Sequence, residues 1–421
     1  MRLSRLVTGA MAAGGLALAL VGCGGSGGSG SGSGGSGSGS GGAGAGGHPV
    51  VTVTPAVGLF DRPRTIVVSH LRRGERVTVD ASTPRVNGTW AASATFRAPR
   101  DGVVNLARTA PVSGSYRVAS AMGLLWSEHL RTPGPPPSVD GAVTTLTLDA
   151  GGRTLGSAHL TQLLRASDVA VRPTTLAAEG FVGEYFRPPG AGRRPAVVLW
   201  GGSEGGDADT VAAAGLMASH GIPALALAYF DEPGLPCALQ EIPLAYFVRA
   251  IRWLRAQPDV DPRRVWVHSG SRGTEAEMLV AGHWPGLVHG VVASAPAALP
   301  YGPYHGTCRP KPASAAMSAW TLNGRPVPVS MRLPAARVRG PVMLISGGAD
   351  DIWASDLQAD QLMNWLPHDG AAHVHLNYPA AGHIVLDIPY APVAIDGGTA
   401  AATQAAHASD WPAVLRFIAG H

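Results

Sequence analysis

From Arg194 onward the chain carries six apolar runs, "PAVVLW", "PALALAY", "VWVHSG", "GVVASAP", "PVMLISGG" and "HVHLNYP", separated by longer stretches of helical character. The runs are continuous rather than alternating, so each strand must be covered on both faces. Strands of that kind interleaved with helices predict a parallel α/β sheet. The clearest helix is "LAYFVRAIRWLRAQ", with apolar residues at three-and-four spacing.

The preceding part reads differently. Between Val50 and about Val171, "VTVTPAV", "TIVVSHL", "RVTVDAS", "ATFRAP" and "TTLTLDA" alternate with period two and are divided by Gly, Pro and Asp turns. That pattern predicts an Ig-like β-sandwich over 49–171, ahead of an α/β domain over 172–421. With 421 residues, 45% of them hydrophobic, the chain can build both cores. A Pro, Tyr and Gly-rich stretch at about 299–339 has no steady period and is expected to be a lid-like insertion over the sheet.

The first residues read as an address. Arg2 and Arg5 precede an apolar stretch from Leu6 to Val21, too short and glycine-rich for a comfortable membrane span, which fits a secretory signal. Leu20-Val21-Gly22-Cys23 resembles the bacterial lipobox, which implies lipidation of Cys23 after cleavage and a signal over 1–23. Residues 24–48 are nearly pure Gly and Ser. Such a coil has a reach of roughly 25–30 Å. The expected location is therefore extracytoplasmic, lipid-anchored to the bacterial cell membrane.

Charged residues make up 14% and the net charge of +4 comes from scattered arginines. Without basic runs and interleaved aromatics, no nucleic-acid partner is expected. Cys237 and Cys308 form an even pair that either bridges or stays as two thiols.

Chemistry enters at "VWVHSGSRGTE". A strand that turns sharply into a helix can present one side chain at the top of a sheet, provided that the residues two before and two after are small. Ser271 has Ser269 and Gly273 there, whereas Ser269 has β-branched Val267 behind it. Ser271 is thus the candidate nucleophile. A serine needs a base, and the base needs a carboxylate. "YPAAGHIV" offers His383 on a small-residue loop, and "LISGGADDIWASD" offers Asp350 and Asp351, between which spacing does not choose. One is expected to reach the imidazole while the other binds loop amides or caps a helix.

"VVLWGGSEGG" supplies a glycine-rich turn whose Gly202 and Ser203 amides, with the Arg272 amide, are the expected oxyanion donors. The loop lacks the Lys-Ser/Thr of a P-loop and the spaced glycines of a dinucleotide site. His373 and His375 share a strand face but have no third partner nearby, so neither a metal nor a cofactor is expected.

At this point the sequence resembles the family of acyl-CoA thioester hydrolases and bile acid-CoA:amino acid N-acyltransferases. The resemblance rests on "GSYRVASAMGLLWSEHL" in the first domain and on "LALAYFDEPGLP", "LAYFVRAIRWLRAQPDV", "GADDIWASD" and "YPAAGHIV" in the second. It implies an α/β-hydrolase fold for the C-terminal domain, Ser271 as nucleophile, His383 as base and Asp351, the second of the pair, as the acid. In that family a cysteine at the elbow goes with transfer to an amino acid and a serine with hydrolysis. The implied substrate is an acyl thioester. Because acyl-CoA is intracellular and this chain is expected to be exported, another ester, thioester or amide stays open, as do a carboxylesterase, an acyltransferase with an envelope acceptor, and a non-catalytic binding lipoprotein.

Overall fold

A computed structural model describes residues 48–85, 87–134, 141–312 and 316–421. The expected leader, Cys23 and most of the Gly/Ser stretch lie outside the described residues.

The first layer pair is a β-sandwich. Val50–Thr54, Thr65–Ser69 and Val104–Asn105 form a small antiparallel sheet. Facing it is a larger sheet built around Arg153–Leu163, Gly141–Ala150, Arg76–Arg85 and Gly88–Arg97. Alternation does what it predicts: Val77, Val79 and Ala81 point inward with Ala92, Ala94 and Phe96, while their neighbours face out. The motif residues Tyr116, Met122, Leu124, Leu125 and Trp126 close this core. Their apolar area is what holds the two sheets together.

The second domain is an eight-stranded sheet. In chain order its strands are β1 (Ala170–Thr174), β2 (Val182–Arg187), β3 (Arg194–Trp200), β4 (Ala224–Ala228), β5 (Val260–Gly270), β6 (Gly290–Ser294), β7 (Val342–Gly347) and β8 (His373–Tyr378). Their spatial order is β1-β2-β4-β3-β5-β6-β7-β8. The first two pairings are antiparallel and the remaining five parallel. This is the α/β-hydrolase architecture. Strands β4, β6 and β7 are buried along their whole length, the reason that their sequences read as unbroken apolar runs.

The covering helices are α1 (Ala208–Ser219), α2 (Leu244–Arg255), α3 (Gly273–His283), α4 (Ser355–Trp365) and α5 (Ala400–Gly420). Cores lie on both faces of the sheet. One contains Trp200, Phe247, Leu279 and Trp320, and the other contains Leu199, Trp266, Trp411 and Phe417. The chain enters this second sheet at Ala170, slightly earlier than the expected boundary. The stretch expected to be an insertion folds into a hairpin, Met317–Leu322 with Arg325–Pro328, that pairs through Met317–Leu322 with Ile242–Pro243 just before α2. Cys237 and Cys308 are bridged, with Cα atoms 5.4 Å apart, which ties the insertion to the loop after β4.

The sandwich is locked to the sheet by polar contacts as well as apolar ones. Asp61 accepts from His220 Nε2 at 2.6 Å and from Trp411 Nε1 at 2.9 Å. The Val393 amide donates to the Trp126 carbonyl at 3.0 Å.

Candidate active site

Ser271 sits between β5 and α3 with a φ of 51°, a left-handed conformation that costs a serine energy and that only a tightly packed corner maintains. Packing explains the small neighbour ahead of it. A Cβ on Gly273 would fall 2.3 Å from the Gly201 carbonyl oxygen and 2.9 Å from the Trp200 ring. Behind it, Ser269 is buried, and its hydroxyl donates to Glu277 Oε2 at 2.5 Å, beneath the corner. Burial lifts the Glu277 carboxyl well above its ordinary range, against the opposing pull of the Ser269 bond.

His383 is buried on the loop after β8. Its Nε2 lies 2.8 Å from Ser271 Oγ and its Nδ1 lies 2.8 Å from Asp350 Oδ2. The order Ser, His, Asp is therefore continuous in space. Two bonds set the ring's position from behind: its own amide donates to the Asp396 carbonyl at 2.9 Å, and the Gly382 amide donates to Thr403 Oγ1 at 3.2 Å.

The acid is corrected. Asp351, the residue implied by family resemblance, has an exposed side chain and contributes its backbone amide to the Asp396 carbonyl at 3.3 Å. Asp350 faces the imidazole instead. Its second oxygen, Oδ1, accepts from the amides of Ile352 at 2.9 Å and Trp353 at 3.1 Å. One carboxylate thus performs both jobs that the sequence divided between two. Burial would raise the Asp350 carboxyl, but the hydrogen bonds from His383 and Ser355, the charge of His383 and the Trp353 amide outweigh it and hold it below its ordinary value.

Of the three expected oxyanion donors, Gly202 is the loop residue packed on the serine: a Cβ there would lie 2.9 Å from Ser271 Cβ. Arg272 follows the serine and caps α3, which places its amide at the corner by chain position. Ser203 sits one residue further along the same turn, partly buried. Tyr229 anchors the turn, its hydroxyl donating to the carbonyls of Gly201 at 3.1 Å and Gly202 at 2.5 Å.

Five side chains escaped the sequence reading. The Arg272 guanidinium is buried, pairs with Glu275 and donates to the carbonyls of Tyr301 at 3.1 Å and Gly302 at 2.8 Å. Glu275 also accepts from the Tyr301 amide at 2.9 Å and from Trp320 Nε1 at 2.6 Å, so the elbow and the insertion form one hydrogen-bonded unit. Tyr301 stacks on Trp353 at 5.2 Å, and Trp353 meets the His383 ring edge-on at 5.0 Å. Only Trp353 left a sequence trace, because it follows the acid pair within "GADDIWASD".

His375 bonds Ser346 and Asp360, and His373 bonds the Pro367 carbonyl. Among the described residues, no group of three His, Cys, Asp or Glu is arranged to hold a metal.

Comparison with known proteins bears on this geometry. Residues 61–171 match the family profile "Acyl-CoA thioester hydrolase/BAAT N-terminal region", and residues 242–419 match "BAAT / Acyl-CoA thioester hydrolase C terminal". The chain belongs to this family. The bile acid-CoA:amino acid N-acyltransferase of Homo sapiens is 28% identical over 410 residues, covering 88% of this chain and 97% of that protein. Acyl-coenzyme A thioesterase 6 of Mus musculus is 27% identical over 396 residues, covering 85% and 93%. Among solved structures, a dienelactone hydrolase-like promiscuous phosphotriesterase from metagenomic libraries aligns with a TM-score of 0.42 and 18% identity, over 60% of this chain and 99% of that one. As a member of the acyl-CoA thioester hydrolase/BAAT family, this chain is an enzyme with thioester hydrolase chemistry as its family activity.

Proposed function

We propose that the chain is a serine acyl hydrolase that cleaves a thioester or ester through an acyl-serine intermediate. The observation that carries this reading is the unbroken relay from Ser271 Oγ through His383 to Asp350, with 2.8 Å at each junction. Ser271 attacks the acyl carbonyl while His383 Nε2 takes its proton. The amides of Gly202 and Arg272 receive the developing negative charge, and His383 then gives the proton to the leaving thiol or alcohol. Water, deprotonated by the same imidazole, releases the acid and restores the serine. Asp350, held ionised, fixes the imidazole with Nδ1 protonated and stabilises the imidazolium.

The relatives include N-acyltransferases. Serine at the elbow favours water over an amine as acceptor. The leader, Cys23 and the glycine-rich tract support an exported, lipid-anchored protein, which in turn favours an envelope thioester or ester as the working substrate.

Protein lacking the first 47 residues would be treated with a fluorophosphonate probe and assayed on acyl-CoA and p-nitrophenyl esters in parallel. Labelling lost in Ser271→Ala, with turnover of a thioester, is the expected result. Ester turnover without thioester turnover would make the protein a carboxylesterase. Unlabelled wild type would overturn the serine mechanism in favour of a non-catalytic binding lipoprotein.

A further inference from the structure

The amide assigned above to the oxyanion is already occupied. Gly202 N–H donates to Glu204 Oε1 at 2.5 Å, and the other carboxylate oxygen lies 3.1 Å from where a Gly202 Cβ would stand, beside Ser271 Cβ. An acceptor oxygen there takes up the bond that a tetrahedral intermediate's oxygen would need. The two oxygens cannot share one N–H.

Three features make this occupant removable. It is bonded to a residue only two positions away, so letting go does not require any other element to move. Glu204 as a residue is exposed although its carboxyl is turned inward, so a rotamer change delivers the charge to water. Tyr229 holds the Gly201 carbonyl, the opposite end of the same peptide plane, at 3.1 Å, so the Gly202 N–H keeps its aim when the carboxylate leaves. The charged and titratable groups around the carboxyl are His383, Asp209 and Tyr229, with the amides of Gly202 and of Glu204 itself.

Resting on the acyl-serine reading, we propose that Glu204 is a positioning residue: it holds the Gly202 amide in the resting enzyme and surrenders it to the substrate's carbonyl oxygen. It acts by competition. A substrate must contribute enough binding elsewhere to displace it, so Glu204 sets a threshold that small or poorly fitting acyl groups do not cross.

The test compares wild type, Glu204→Gln and Glu204→Ala for p-nitrophenyl butyrate kinetics and for inhibition by phenylboronic acid, whose serine adduct places an oxygen in the same position. Removing a charge-assisted competitor should lower KM and the boronate inhibition constant roughly tenfold in Glu204→Ala, with kcat changed less than about threefold. Glu204→Gln, which keeps an uncharged acceptor, should fall between. Unchanged or weakened binding in both variants would overturn the proposal, as would a collapse of kcat at constant KM, which would put Glu204 on the reacting atoms. If Glu204→Ala fails to fold, Glu204→Gln decides by the same criteria. Fluorophosphonate labelling of wild type keeps the layers apart: labelled protein without a Glu204 effect removes this proposal alone, while unlabelled protein removes the reading beneath it.

Discussion

Ser271 and His383 meet at 2.8 Å, yet the two sides of that contact are built by opposite means. The serine side is local. A strand, a left-handed residue and a helix supply it, with Ser269 and Gly273 two positions away on either side, and the turn at Trp200 to Gly202 packs against them from outside. The histidine side is assembled from afar. The His383 loop returns through Asp396, Gly382 is held by Thr403, and the segment between them is pinned at Val393 to Trp126 of the sandwich. Ser271 is therefore singled out by small residues within two positions of it and braced by one remote turn, whereas His383 depends throughout on contacts between segments far apart in sequence.

The sharpest way to break this comparison is at the acid, where two adjacent residues have been given opposite fates. Asp350→Asn should lower kcat roughly 10⁴-fold by destroying the imidazole's tautomer preference, while Asp351→Asn should stay within about threefold of wild type. Equal losses, measured by steady-state ester hydrolysis, would return the acid to Asp351.

A smaller effect probes the remote brace. Val393→Pro deletes the N–H that reaches Trp126 and nothing else polar, so kcat should fall roughly threefold to tenfold with KM unchanged. An unaltered kcat would mean that the sandwich does not position His383.

The mildest sharpens the local side. Glu277 is raised in the folded protein, so its cost is absent below the ordinary carboxyl range and grows as pH rises toward the folded value. Glu277→Gln keeps an acceptor for Ser269 and should raise Tm by roughly 2–4 °C at pH 7 to 8, an advantage that vanishes near pH 4. A gain independent of pH would show that packing, not ionisation, is responsible.

The same division explains what was legible. Unbroken apolar runs marked every parallel strand of the second sheet, alternation marked the sandwich, and small neighbours pointed to Ser271 rather than Ser269, the serine that the structure sets 2.8 Å from His383 being Ser271. The choice between Asp350 and Asp351 was not legible, because adjacent side chains project in different directions from a loop whose path is set by the Asp350 turn and by Asp396. Nor was the contact behind the role proposed for Glu204: its residue type sat inside "GGSEGG", but only the folded turn shows its carboxyl returning to its own loop. The Arg272 and Glu275 link to the insertion was hidden for the same reason, since the partners on the insertion side are mostly backbone groups.

The bond between Cys237 and Cys308 encloses α2, β5, the serine corner, α3 and β6 in a single covalent ring, while the Glu204 turn, Asp350 and His383 remain outside it. A protease that nicks the backbone inside that ring leaves both pieces tethered, so after a cut between Ser271 and Cys308 the piece bearing Ser271 cannot diffuse away from the piece bearing His383. Damage to this stretch is thereby turned from a loss of parts into a break that the surrounding sheet can hold closed.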